Sequence, residues 1–229
     1  MTSPAPLHYD TYYHIYNRGN NRENIFLQER NYDHFLNLYA RYIEPVTETF
    51  AYCLLRNHFH LLVRIKSEEE IIETLNNEIL KVFPVNLDPS GQESSAINET
   101  KLPGKPLGSG YPSKQFSDFF NAYAKAINNT FGRSGSLFQH PFGRVLVTSD
   151  RQFWNVIVYI HQNPQKHRFV DDFREWKWSS YGIIPAEKPT KLNRGLVLDW
   201  FGGKEQYFKL HQEWVNQAQN KWFSEEDND

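Results

Sequence analysis

Two alternating, apolar-rich runs, Thr47–Leu55 and Asn57–Ile65, are separated only by the region around Arg56 and Asn57. Spacing this tight predicts an antiparallel β-hairpin, so the chain is committed to a sheet. The other elements follow from periodicity. Tyr12–Arg18 alternates and is aromatic, which predicts a strand, and the turn-like GNNREN follows it. Glu29–Ile43 carries Phe35, Leu36, Leu38, Tyr39 and Tyr42 at helical spacing. Glu68–Val82 reads as an acidic-led amphipathic helix, and Gln115–Phe131 as a helix with Phe116, Phe119, Phe120, Tyr123 and Ile127 on one face. Gly143–Thr148 is a strand candidate. Ser149-Asp150 is expected to cap a helix that runs to Asn163 and is ended by Pro164. Trp176–Tyr181 is expected to be a packed aromatic segment, and Lys204–Ala218 a last helix. The order β-α-β-β-α-β-α predicts an α+β fold: a ferredoxin-like antiparallel sheet with helices packed on one face, leaving the other face or a sheet edge free for a ligand.

Composition excludes several classes. An apolar fraction of 39% with 16% aromatic residues suits a packed core rather than a disordered chain. No stretch approaches the ~18 consecutive apolar residues of a membrane span, and no secretory leader is visible in Met1–Asp10. The single cysteine, Cys53, lies in a predicted strand and reads as a small buried hydrophobe, so a reducing, cytoplasmic (nucleoid-associated) setting is expected. The net charge of -2 is unevenly spread. Residues 66–113 carry 8 acids against 4 bases, and Trp222–Asp229 carries 4 acids and no base, which leaves +6 on the remainder. A basic body with acidic appendages is compatible with phosphate binding without demanding it. Pro84–Ser113 is Pro-, Gly-, Ser- and Asn-rich and reads as a loop.

Two segments carry chemistry. In Asn57-His58-Phe59-His60-Leu61-Leu62-Val63 the two-residue period of a strand turns His58 and His60 to one side and Phe59, Leu61 and Val63 to the core. Two imidazoles on a rigid strand are half of a metal site. With 9 histidines in the chain, an isolated H-x-H also arises by chance. In Val158-Tyr159-Ile160-His161-Gln162-Asn163-Pro164, Tyr159 and Asn163 stand four apart on a helix and share a face. The Asn163 amide oxygen can complete a site begun by two histidines, with the Tyr159 phenol beside it. The alternative for Tyr159 is packing of the helix onto the sheet, and for Asn163 an ordinary place at the helix end.

Taken together, the segments resemble a known family. Tyr12–Arg18 with Gly19-Asn20-Asn21, the NHFHLLV strand, Gly135–Val147 (GSLFQHPFGRVLV), Val158–Val170 (VYIHQNPQKHRFV) and Trp176–Tyr181 (WKWSSY) resemble the HUH single-tyrosine transposases, in particular the REP-associated tyrosine transposase branch. The resemblance covers most of residues 8–185 and implies a single-tyrosine transposase-like catalytic domain there, with an insertion at about 66–113. Residues 186–229 are then a C-terminal helical extension with an acidic tail. It further implies His58 and His60 as metal ligands, Asn163 as the residue completing the site, Mg²⁺ or Mn²⁺ as the ion, and Tyr159 as the nucleophile. The implied activity is a DNA transposase, a single-strand endonuclease and strand-transferase that forms a 5′-phosphotyrosine on hairpin-containing or palindromic single-stranded DNA. Monomer and homodimer both remain open. Arg133, Arg144, Lys166 and Arg168 flank the motifs and are candidates for phosphate contacts. The chain departs from the family pattern at Arg56, where proline is frequent, and at Gln165 and His167-Arg168, where small residues are usual. Ser224–Asp229 is a candidate to lie in the basic cleft and weaken DNA binding. Two other readings use the same residues: a catalytically silent nucleic-acid-binding module, and a metal-dependent nuclease in which water attacks.

Overall fold

The computed structural model describes residues 6–82 and 106–216. Four strands, β1 (Tyr12–Arg18), β2 (Thr47–Leu54), β3 (His58–Ile65) and β4 (Gly143–Val147), form one antiparallel sheet in the order β2-β3-β1-β4. Helices are α1 (Glu29–Tyr42), α2 (Glu68–Val82), α3 (Tyr111–Phe131), α4 (Asp150–Lys166), α5 (Arg194–Phe201) and α6 (Lys204–Asn216). This is the expected ferredoxin-like arrangement, with β2 and β4 flanking an antiparallel β1–β3 centre.

The hairpin turn is as tight as its spacing predicts. The Leu55 N–H donates to the His58 carbonyl (2.8 Å), leaving Arg56 and Asn57 as the loop. That loop is held from outside as well, because Ile25 and Phe26 both donate backbone N–H groups to the Arg56 carbonyl (2.8 and 2.9 Å) and Gly19 donates to that of Asn57 (2.8 Å). Gly19 is required by this closeness. A Cβ there would stand 2.0 Å from the Glu23 carbonyl oxygen, a backbone atom that cannot swing aside. Gly19→Ala is therefore expected to lower stability by about 1–3 kcal/mol, read as a lower urea midpoint at unchanged slope.

One sheet face buries Tyr13, Ile15, Phe59, Leu61, Val63 and Ile65 against α1 and α3, through Phe35 and Tyr39 of the first and Phe116, Phe119 and Tyr123 of the second. Each such side chain contributes roughly 1.5–3 kcal/mol of burial. The opposite face is not left wholly free. α4 lies across β2 and β3 and, with α5 and α6, buries Phe50, Ala51, Cys53 and Leu62 under Phe153, Ile157, Val197 and Tyr207. Residues 194–216 thus share a core with α4. The Trp176–Tyr181 segment closes the outer edge of β2. Leu54 N–H donates to the Trp178 carbonyl, Ser180 N–H to the Tyr52 carbonyl, and the Trp176 indole to the Leu54 carbonyl (each 2.9 Å). Covering an edge strand in this way removes a template for aggregation.

Three expectations shift. The 115–131 helix begins earlier, at Tyr111, with Pro112 in its first turn where a missing N–H costs nothing. The eight-residue α5 is absent from the sequence reading. Pro164 does not end α4. Having no N–H, it removes one hydrogen bond from the final turn only, and the ladder resumes with His167 N–H donating to the Asn163 carbonyl (2.9 Å). The Ser149 cap is present, accepting from the Gln152 N–H at 3.3 Å. Residues 84–105 of the expected Pro84–Ser113 loop and the Ser224–Asp229 tail lie outside the described residues.

Candidate active site

Pairing register decides what shares a face. Arg18 lies opposite His58 and Tyr16 opposite His60 across β1 and β3, so all four project toward α4. The extra turn of α4 adds Lys166 to the helical stripe of Tyr159 and Asn163 over them. The Tyr159 ring meets the His60 ring edge-on at 5.4 Å and the His14 ring at 5.8 Å. Lys166 Nζ stands 5.0 Å above the Tyr159 ring. His167 packs its ring 4.7 Å from that of His58. Gly143 of β4 makes room for Tyr16, since a Cβ there would fall 2.1 Å from the phenol ring.

Both imidazoles are gripped by Nδ1. His58 Nδ1 is 2.7 Å from Asn57 Oδ1, which can only accept, so His58 carries its proton on Nδ1. His60 Nδ1 is 3.0 Å from His14 Nε2. Asn163 is aimed in the same manner, its Nδ2 donating to the Tyr159 carbonyl at 2.8 Å. The atoms left over are His58 Nε2, His60 Nε2 and Asn163 Oδ1, and all three are buried without a hydrogen-bond partner. Buried polar atoms are satisfied in the great majority of folded proteins, so three orphans on neighbouring side chains ask for a ligand. The chemistry of that donor set, two imidazole nitrogens and one amide oxygen, fits a divalent cation. Among the described residues no three histidine, cysteine or carboxylate side chains form a ligating group, so the amide oxygen is needed as the third donor.

The electrostatics agree with this fit. Burial pushes His58 well below the usual imidazole range, and His167, Arg18 and Lys166 push it further down, while Asn163 opposes them. His60 is depressed by burial and then by His14, His58, His167 and Arg18. Both rings are neutral at neutral pH, the state in which imidazole can ligate. The charged neighbours acting on them are all cationic, so a metal in this place would keep its full positive charge and attract an anion strongly.

The proposed phosphate-contact residues separate. Lys166 is in the site and Arg168, exposed, follows it at a left-handed backbone position (φ 58°) just beyond the helix. Arg144 faces away. It pairs with Ile15 across β1 and β4, on the α1/α3 side, with its guanidinium 3.9 Å over Phe142. Arg133 ion-pairs with Glu23 and donates to Asn128 Oδ1 (2.9 Å), tying the end of α3 to the segment after β1. Sequence reading missed Arg18, His14, Asn57 and His167 as members of the site. The alternation of β1 carried a signal for His14 and Arg18, which share parity with Tyr16. Asn57 stood in the quoted NHFHLLV motif with no role assigned to it.

A second polar cluster holds α4 from behind. His161, two residues from Tyr159 and so on the other side of the helix, has Nε2 2.7 Å from Ser180 Oγ and Nδ1 2.9 Å from His211 Nε2. His211 Nδ1 donates to the Tyr207 carbonyl at 2.7 Å. That carbonyl can only accept, which fixes every proton along the chain: His161 Nδ1–H donates to His211, and the Ser180 hydroxyl donates to His161.

No family model matches the chain. A curated Haemophilus influenzae protein (strain ATCC 51907 / DSM 11121 / KW20 / Rd) named for the REP-associated tyrosine transposases is 24% identical over 134 residues. The match spans 58% of this chain and 58% of that protein's length. A solved structure described as a REP-associated tyrosine transposase bound to a REP hairpin superposes with a TM-score of 0.51. The superposition covers 82% of this chain and 88% of the other at 14% identity. The chain is similar to the REP-associated tyrosine transposases. With the REP-associated transposase structure it shares a fold, a four-stranded antiparallel sheet with helices. No helix among the described residues is long and apolar enough to cross a membrane.

Proposed function

We propose that the chain is a metal-dependent single-tyrosine transposase that cuts and rejoins hairpin-containing single-stranded DNA. The observation that carries this reading is that three buried atoms, His58 Nε2, His60 Nε2 and Asn163 Oδ1, have no hydrogen-bond partner, on a pair of imidazoles 5.2 Å apart and a helix whose Tyr159 ring packs on His60. A divalent ion held by those three, Mn²⁺ or Mg²⁺, would supply Lewis-acid polarisation of the scissile phosphate. Two nitrogen donors favour Mn²⁺ over Mg²⁺, which prefers an all-oxygen shell.

The chain's own residues do the rest. The Tyr159 hydroxyl oxygen attacks the phosphorus, the bond from phosphorus to the 3′ oxygen breaks, and that oxygen leaves as a hydroxyl. The 5′ phosphate stays on Tyr159 as a diester, so the bond energy is kept for a second 3′-hydroxyl to reverse the step on a new strand. Lys166, over the Tyr159 ring, and Arg18, beside His58, are positioned to neutralise the phosphate. Arg168 extends this cationic rim along the DNA backbone. Tyr159 packs against its own chain's His60, which supports a site completed within one subunit. The solved relative, described as bound to a REP hairpin, supplies the substrate class.

The test is incubation of the full chain with a 3′-labelled single-stranded hairpin and Mn²⁺, followed by denaturing electrophoresis. The expected result is a labelled protein band carrying the 5′ end of the cut strand. Cleavage with no protein-linked label would instead assign attack to water, and hairpin binding with neither would leave only a binding module.

A further inference from the structure

We propose that His14 is a positioning residue for the metal-binding face, its Nε2 accepting a hydrogen bond from the Nδ1–H of His60. This rests on the reading of His60 as a ligand. His14 projects from β1, is fully buried, and stands 3.0 Å from His60 Nδ1 with the two rings stacked at 5.1 Å and 23°. An imidazole pair joined this way has two proton arrangements. If His14 donates, His60 must carry its own proton on Nε2 and cannot ligate. If His60 donates, Nε2 keeps its lone pair and is left, like His58 Nε2 and Asn163 Oδ1, buried and without a hydrogen-bond partner. His58 is held in this second way by Asn57, so the site treats its two imidazoles alike, each gripped at Nδ1 and bare at Nε2.

The choice of partner has a chemical consequence. Metal-bound histidines commonly donate their second N–H to a carboxylate, a carbonyl or water. A carboxylate at this position would place a negative charge within reach of an incoming phosphate. A neutral imidazole acceptor orients His60 and leaves the pocket's charge positive. His14 also sets an edge against the Tyr159 ring at 5.8 Å, so one side chain positions both the ligand and the phenol.

Mn²⁺ binding to the full chain, followed by electron paramagnetic resonance, tests this without reference to turnover. His14→Phe keeps a flat ring of similar size and removes the acceptor; His14→Gln restores an acceptor near the position of Nε2. The expectation is a 10–100-fold loss of Mn²⁺ affinity in the first and a value within a few-fold of the unsubstituted chain in the second. Unchanged affinity in His14→Phe overturns the proposal, and so does equal weakening in both variants, which would make His14 a space-filling residue. Long-range ¹⁵N–¹H NMR of the unsubstituted chain reads the tautomer directly. A proton on His60 Nδ1 supports the proposal and a proton on His60 Nε2 overturns it. Should the unsubstituted chain bind no Mn²⁺, the metal reading fails, while the NMR result still judges His14.

Discussion

Replacing Tyr159 with phenylalanine is expected to abolish the covalent protein–DNA adduct while leaving the fold, Mn²⁺ affinity and hairpin binding within a few-fold of the unsubstituted chain. The change removes one oxygen and nothing else. The ring keeps its edge-on contacts with His60 and His14 and its place under Lys166. The ring is only 5% exposed, so it also keeps its packing contribution. Loss of a covalent nucleophile typically lowers turnover on the order of 10⁴-fold or more, and adduct yield and strand cleavage should fall together by that amount. An adduct that persists in Tyr159→Phe would move the nucleophile elsewhere. Cleavage that persists without adduct would favour the hydrolytic reading. Tyr159→Ala is a poorer experiment, because it also opens a cavity between α4 and the sheet and costs about 3–5 kcal/mol of packing.

A second large effect is expected at the back of α4. The chain from Ser180 through His161 and His211 to the Tyr207 carbonyl is complete only when both rings are neutral, and every ring nitrogen in it already has a partner. His161→Phe removes the nearer acceptor of the Ser180 hydroxyl, which keeps only the Tyr52 carbonyl at 3.2 Å, and leaves His211 Nε2 without its donor. A loss of roughly 2–4 kcal/mol is expected, or about 5–15 °C in melting temperature for a domain of this size. The pH dependence has a definite sign. Burial lowers His211 from 6.5 to about 4 and depresses His161 further below its ordinary value. The unfolded chain therefore binds more protons than the folded one below about pH 6.5. Stability is full above that pH and declines as pH falls. The His211 share, roughly 3 kcal/mol at about 1.4 kcal/mol per pH unit, is spent by about pH 4. His14, held near 3 by burial, adds in the same direction. Urea unfolding in chelator at pH 7.5 and pH 5 should show the midpoint drop, with a shallower dependence in His211→Gln. Equal midpoints at the two pH values would mean that the pair is not held neutral.

Much of the architecture was legible because periodicity is local. The hairpin, β1, α1 and α2 fall where alternation and helical spacing predict them, and His58 and His60 share a side because every second residue of a strand must. Tyr159 and Asn163 share a face for the corresponding helical reason. The elements misread are those where local rules were overruled. α4 runs through Pro164 because the proline removes one bond near the helix end while packing on the sheet holds the remaining turns. That single extension carries Lys166 and His167 into the site. α5 is too short for its pattern to stand out.

The sequence by itself therefore determined which side chains point together within one element: two imidazoles on β3, a phenol and an amide on α4. Only the tertiary structure decided which faces meet. Strand register turned Arg144 away from the imidazoles and brought Arg18 to them. Pairing across 46 residues joined His14 to His60, and packing across 50 joined His161 to His211. Side-chain parity is fixed by backbone geometry one residue at a time, whereas register and packing are set by the whole core at once.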